Sequence, residues 1–258
     1  MSKKPLILVT NDDGITAPGI RALIEAMKTL GDVVVVAPDS PQSGMGHAIT
    51  VNSTLHLDRV TIDQGDQPEY SCSGTPADCV KLAVREIMDR QPDICVSGIN
   101  HGANSSINVI YSGTMSAALE AGIEGIPAIG FSLCNYNYNA NFDAAKHYAK
   151  QIVAKALAEG IPKDVVLNVN FPDVPQKDIK GIRICRQAKA NWIEEFDKRQ
   201  TPHGKDYYWL TGTFVNQDNG QDTDEWALEN NYISIVPVQF DLTAHHSIQT
   251  LNSWDFND

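Results

Sequence analysis

The sequence predicts an α/β fold: a Rossmann-like, doubly wound, mostly parallel sheet with a C-terminal β-hairpin arm or subdomain. Three observations carry this. Short continuous apolar runs, such as "PLILVT" (5–10) and "DVVVVAP" (32–38), have the length and composition of strands covered on both faces. Stretches with 3.6-residue periodicity lie between them. The strand-loop-helix-strand order then recurs to about residue 172, which favours parallel strands joined by right-handed crossovers.

Taken in order, "PLILVT" is the first strand. In "PGIRALIEAMKTL" (18–30), Ile20, Leu23, Ile24 and Met27 fall on one helix face, Pro18 suits the first turn and Gly31 the stop. "DVVVVAP" is the second strand. Between 48 and 73 the pattern breaks into short antiparallel strands, "AITVNSTLHLDRVTID" and "EYSCSG", inserted as an excursion. "GTPADCVKLAVREIM" (74–88) opens a helix, with Thr75 as N-cap, Pro76 in its first turn and Asp78 beyond. "PDICVSG" (92–98) is a strand and "SGTMSAALEAGIEG" (112–125) an alanine-rich helix. "IPAIGFSL" (126–133) is a strand, "FDAAKHYAKQIVAKALAEG" (142–160) a helix and "VVLNVNFP" (165–172) one more strand. After about 175 "GIRICRQAK" and "YYWLTG" read as the strands of a hairpin, and "DTDEWALENNYISIVPVQF" as a short helix then a strand. The whole chain, 1–258, reads as one domain, with a core over about 1–172 and an arm and extension over about 175–258.

Hydrophobic residues make up 42 % and charged residues 20 % of the chain, ordinary for a globular protein. A net charge of −12 argues against binding a nucleic-acid duplex, which needs a basic stripe. It leaves room for a small nucleotide held by a local cation. The five cysteines include no C-x-x-C pair and read as reduced thiols of a cytoplasmic protein. No secretory leader and no run near the roughly 18 apolar residues of a membrane span is expected.

In an open parallel sheet, ligands bind beyond the carboxyl ends of the strands. There the sequence places Asn11-Asp12-Asp13-Gly14, then "PDSPQSGMGHA" (38–48), then "GINHGANSSINVIYSGT" (98–114). Two adjacent carboxylates at a buried strand end repel, so one takes up a proton unless a cation neutralises them. Helix capping by one and solvation of the other is the plainer reading. A hard divalent cation explains more, since Mg²⁺, Mn²⁺ and Ca²⁺ want oxygen ligands and the neighbouring loops offer the Ser43 hydroxyl and the Asn100 amide. Ser112, Gly113 and Thr114 open a helix, where free N–H groups and the dipole favour an anion. Asn104 could donate to the same phosphate. His47 and His101 lie in these loops; either could protonate a leaving oxygen, and mere contact with solvent or substrate is an equal reading. His245 and His246 read as surface residues.

At "TNDDGITAPGI", "VVAPDSPQSG", "GTPADCV", "PDICVSGINHGAN" and "IYSGTMSAALEA" the sequence closely resembles the survival protein E (SurE) family of metal-dependent nucleotidases. The resemblance covers 5 to about 133 strongly and continues more loosely to about 240. It implies hydrolysis of nucleoside 5′- and 3′-monophosphates to nucleoside and phosphate. It implies one divalent ion per subunit on Asp12, Asp13, Ser43 and Asn100. Asn104, Ser112, Gly113 and Thr114 then match the phosphate side, with Asn11 and Gly44 as substrate-contacting neighbours. It also implies a homodimer or tetramer built by exchange of a C-terminal arm.

Two enzymatic alternatives and one non-enzymatic one remain beside it. An aspartyl-phosphate phosphatase would use Asp12 as nucleophile, but its usual second aspartate two residues on is here Gly14. A dinucleotide oxidoreductase lacks its G-x-G-x-x-G after the first strand. A nucleotide or metal sensor could use the same fold without turnover.

Overall fold

The computed structural model describes residues 4–63 and 65–256; the first three residues of the leader reading lie outside them. The chain runs β1 (Leu6–Thr10), α1 (Pro18–Lys28), β2 (Asp32–Pro38), β3 (Leu57–Val60), β4 (Glu69–Cys72) and α2 (Pro76–Leu82). It continues through β5 (Ile94–His101), α3 (Gly113–Ile123), β6 (Ala128–Leu133), α4 (Asp143–Glu159) and β7 (Val166–Phe171). The last part holds β8 (Ile182–Ile184), β9 (Ala190–Gln200), β10 (Asp206–Asn216), α5 (Asp224–Glu229), β11 (Ile233–Val238) and α6 (His245–Leu251).

Among the described residues one sheet has the order β3-β4-β2-β1-β5-β6-β7-β11-β8. From β4 to β7 every pairing is parallel; β3 pairs antiparallel with β4 and β11 antiparallel with β7. The apolar runs become these strands because both faces are covered. Ile7 and Val9 pack with α1 and α4 on one side, whereas Leu8 packs with α2 and α3 on the other. The chain steps from β1 to β2 on one side and later to β5 on the other. The carboxyl ends of β1 and β5 therefore flank the crevice where strand order reverses.

The hairpin differs in its strands from the sequence expectation. β9 and β10 form a separate two-stranded ribbon in which Ala190 to Gln200 pairs with Asp206 to Asn216. "GIRICRQAK" contributes β8 instead, which runs parallel to β11 at the sheet edge. Three residues, Ile182, Arg183 and Ile184, suffice for β8 because β11 offers a paired neighbour; the long ribbon carries few buried residues and so little hydrophobic alternation to read. The excursion does hold an antiparallel pair, β3 and β4, but its first third, 48–56, has no strand.

Two contacts set the site's frame. Gly19, early in α1, lies so close to β5 that an added Cβ would run into the Ile99 carbonyl oxygen. Asp78 closes a capping box with Thr75 at the start of α2 and also accepts from the Thr50 backbone N–H at 3.1 Å and its hydroxyl at 2.6 Å. Burial pushes the Asp78 carboxyl up, but the bonds from Thr50 and Thr75 outweigh it and hold it below its usual range.

A carboxylate with a lowered folded pKa stabilises the fold above its unfolded value, about 3.9, and loses that contribution as pH falls through the folded value. Asp78→Asn is therefore expected to cost about 1–3 kcal/mol near neutral pH, read from urea midpoints at constant m-value. The gap to the unsubstituted protein should close in acid below about pH 4.

Candidate active site

β1 ends at Thr10, and the next residues turn back on themselves. Asn11 donates from Nδ2 to the Gly14 carbonyl at 2.9 Å, and Gly14 supplies the positive φ of +99° that the turn needs. The turn leaves Asp12 and Asp13 over the crevice with different surroundings. Asp12 is 3 % exposed, and one of its oxygens accepts a short hydrogen bond from the Thr114 hydroxyl. Burial first, then the neighbouring Asp13 charge, pushes the Asp12 carboxyl up to about 6. Asp13 is held from the β5 side: its Oδ2 accepts from the His101 backbone N–H at 3.1 Å and lies 2.9 Å from the His101 ring Nδ1. That bond, working against burial, raises His101 above its usual range. The ring is further fixed edge-on by Phe142 and stacked by Tyr138.

The three loops expected to converge are tied together by backbone. The Asp12 carbonyl accepts from Gln42 N–H at 2.8 Å, which ties the loop carrying Ser43, itself exposed, to the turn of the aspartates. Gly46 N–H donates to the Tyr111 carbonyl, joining the same loop to the approach to α3. Asn100 is buried near the end of β5 and donates from Nδ2 to the Gly102 carbonyl at 2.8 Å.

The phosphate-side candidates divide. Ser112 is the N-cap of α3, its hydroxyl accepting from Met115 N–H at 3.0 Å. Gly113 packs against Asp12 so closely that a Cβ there would lie 2.6 Å from the Asp12 Cβ and 2.9 Å from Oδ2. Glycine at this position lets the start of α3 reach the carboxylate. Thr114 is engaged with Asp12 itself. Gly44 is exposed, with a positive φ and open space around it. Asn104 is buried and donates from Nδ2 to the Ser132 hydroxyl at 2.8 Å. Its backbone N–H goes to Asn170 Oδ1 and its carbonyl accepts from Asn168.

Three further groups support the site without having been singled out from sequence. Asn168 and Asn170, two apart on β7, brace Asn104; polar residues at period two inside an apolar strand were the available signal. Glu120, buried in α3, binds His47 at 2.8 Å and also Lys81. Burial pushes Glu120 up, yet these two bonds leave it below its usual range. His47 sits on the Ser43 loop, so this pair anchors that loop to α3. Asp224 accepts from Ser106 N–H and Ala188 N–H, fastening the base of the ribbon to the loop before α3. Sequence distance hides both clusters. His245 and His246 are exposed, as expected.

The donor set suits a hard divalent cation. A carboxylate pushed toward protonation by burial and a like neighbour is what a cation would neutralise. Asn11 Oδ1 is a buried oxygen with no hydrogen-bond partner beside it. Among the described residues no three His, Cys, Asp or Glu converge, so a cation here would be completed by neutral oxygens rather than by more charge.

Residues 7–194 match the family model described as "Survival protein SurE". A protein of Flavobacterium psychrophilum named 5′-nucleotidase SurE is 70 % identical over 98 % of this chain and 99 % of its own length. One of the same name from Bacteroides thetaiotaomicron is 47 % identical over 98 % and 97 %. The crystal structure of the SurE protein from Aquifex aeolicus superposes with a TM-score of 0.83 at 42 % identity, over 96 % of this chain and 98 % of that one. With two aspartates, three tied loops and a glycine-started helix in the same chain order that prompted the resemblance, and with matches spanning nearly its full length, the chain belongs to the SurE family.

Proposed function

We propose that this chain is a metal-dependent phosphomonoesterase that hydrolyses nucleoside 5′- and 3′-monophosphates to nucleoside and phosphate. The observation that carries the reading is the buried Asp12 carboxylate, set beside Asp13 and against the first residues of α3. The name 5′-nucleotidase borne by relatives up to 70 % identical supports the substrate class.

Asp12, Asp13, Ser43 and Asn100 would hold one Mg²⁺, Mn²⁺ or Ca²⁺ per subunit. Bound there, such an ion supplies Lewis-acid stabilisation of phosphoryl charge and activates water as the nucleophile. The chain's own residues do the rest. The N–H groups at Gly113 and Thr114 point with the α3 dipole toward an anion, stabilising charge on the phosphoryl oxygens. Gly44 and the Ser112 hydroxyl border the same anion, and Asn11 and Asn104 shape its floor. His101 fixes the Asp13 carboxylate, and Thr114 fixes that of Asp12. One of these two carboxylates accepts the water proton as the new P–O bond forms and the P–O bond to the nucleoside breaks, and the departing oxygen takes its proton from solvent.

The exposed apolar side chains of the ribbon, among them Phe196, Tyr208, Trp209 and Leu210, support an arm that pairs with a second copy. Five free thiols support a reducing, cytoplasmic setting. Among the described residues no helix is long and apolar enough to cross a membrane.

Three measurements test this reading. Phosphate release from nucleoside monophosphates is expected with Mn²⁺ or Mg²⁺, abolished by EDTA and reduced on the order of 100-fold or more by Asp13→Asn; tight binding without release would instead make the chain a sensor. In EDTA at pH 8, where the Asp12 charge is fully developed at a cost, Asp12→Asn is expected to raise stability by about 1–3 kcal/mol and to remove the Mn²⁺-induced rise in Tm. Sedimentation is expected to find a dimer or tetramer that falls to monomer when residues 191–215 are replaced by a short turn.

A further inference from the structure

Among the proposed cation ligands, Asp12 and Asp13 sit in the hydrogen-bonded turn directly after β1, and Asn100 lies within β5. Ser43 alone depends on a longer loop, so its position is set by whatever fastens that loop. On one side Gln42 N–H is bonded to the Asp12 carbonyl, and on the other Gly46 N–H is bonded to the Tyr111 carbonyl at 3.2 Å. Between these points Ser43, Gly44 and Met45 are all exposed. Gly44 and Gly46 both take positive φ. A short exposed span with a glycine in it and another at its end does not hold a hydroxyl in place by itself.

The side chain nearest to Ser43 that does fasten the loop is His47. Its ring Nε2 lies 2.8 Å from Glu120 Oε2, and the other oxygen of that carboxyl binds Lys81. Glu120 is 2 % exposed, whereas the His47 ring is partly exposed. Against the push of burial, the two partners hold the Glu120 carboxyl below its usual range. It is therefore ionised near neutral pH and can only accept, so His47 Nε2 is the nitrogen that donates. Bonds to an ionised acceptor are the stronger and better directed kind. Glu120 stands on α3 about two turns beyond Gly113 and Thr114. One helix thus meets Asp12 with its first turn and grips the Ser43 loop with its third. After His47 the loop runs on to α2, where the Thr75 hydroxyl donates to the Ala48 carbonyl at 2.7 Å.

We propose that Glu120 is a positioning residue of the cation site: through His47 it holds the Ser43 loop where the Ser43 hydroxyl joins Asp12, Asp13 and Asn100 on one divalent ion, and so it sets the affinity for that ion without touching it. The proposal rests on the phosphomonoesterase reading above and adds a residue that governs its metal.

The test titrates Mn²⁺ into the full-length protein by calorimetry and follows the rise in Tm that Mn²⁺ induces. His47→Ala is expected to weaken Mn²⁺ binding about tenfold, the lower end of what partners of metal ligands are worth. Its kcat at saturating Mn²⁺ and nucleotide is expected to stay within about threefold, because only ground-state metal binding is lost. His47→Gln, whose amide N–H reaches Glu120 from the place of Nε2, is expected to recover most of the affinity. Lys81→Met removes the carboxylate's other partner without touching the loop and is expected to leave Mn²⁺ affinity within about twofold. Glu120→Ala is expected to match His47→Ala, and the double variant to bind no more weakly than either single one. Should Glu120→Ala not fold, the His47 and Lys81 variants decide alone. Mn²⁺ affinity unmoved by His47→Ala, an equal loss in Lys81→Met, or additive losses in the double variant overturns this inference alone. An unsubstituted protein that neither binds Mn²⁺ nor releases phosphate overturns the phosphomonoesterase reading and this inference with it.

Discussion

The structure is organised around the cost of keeping two neighbouring carboxylates at the end of a buried strand. Asp12 is removed from water and sits next to a second negative charge, and each of these raises its proton affinity. A fold without use for that charge would place it in solvent. Here the surroundings do the reverse. Thr114 donates to it, Gly113 has no side chain so that the start of α3 can approach, and the Asp12 carbonyl draws in the Ser43 loop through Gln42. Asp13 is turned toward β5 by two bonds from His101. The unfavourable electrostatics are local, while the restraints that maintain them come from β1, β5, α3 and the loop after β2.

Topology explains how so many elements reach one point. β1 lies between β2 and β5, so the loops that leave these three strands rise on the same edge of the sheet. The depth of α1 follows from the same demand. Gly19 lets the helix lie against the Ile99 carbonyl, one residue before Asn100. A larger residue there would press on the strand end that carries a candidate ligand.

Much of this was readable in the chain, because strands covered on both faces leave unbroken apolar runs and helix faces leave 3.6-residue spacing. "DVVVVAP" coincides with β2, and the Thr75 cap is where the local pattern puts it. The loop residues were readable for a different reason: charge and glycine at strand ends have few structural uses. What escaped was set by partners far along the chain. Glu120 looks like one polar residue in an alanine-rich helix until His47 and Lys81 close on it. Asn104 reads as a free amide until the Ser132 hydroxyl takes up its Nδ2 and Asn170 its backbone N–H. β8 is too short and its neighbour too distant for any local pattern to assign its pairing.

The ribbon was the least legible part, and its physics shows why it belongs to the site. Two strands alone bury too little to stand in water, so a ribbon persists only where its ends are fastened or its faces covered. The base of this one is fastened to the approach to α3 rather than to the sheet. Ser106 donates to the carbonyls of Ala188 and Ala190, Asp224 bridges Ser106 and Ala188, and Trp192 is bonded to Asn108. The two residues of that approach which hold it, Ser106 and Asn108, lie within the segment between Asn104 and Ser112. Movement of the ribbon is therefore transmitted to the residues that lead into the helix N-terminus, and order imposed there is transmitted back.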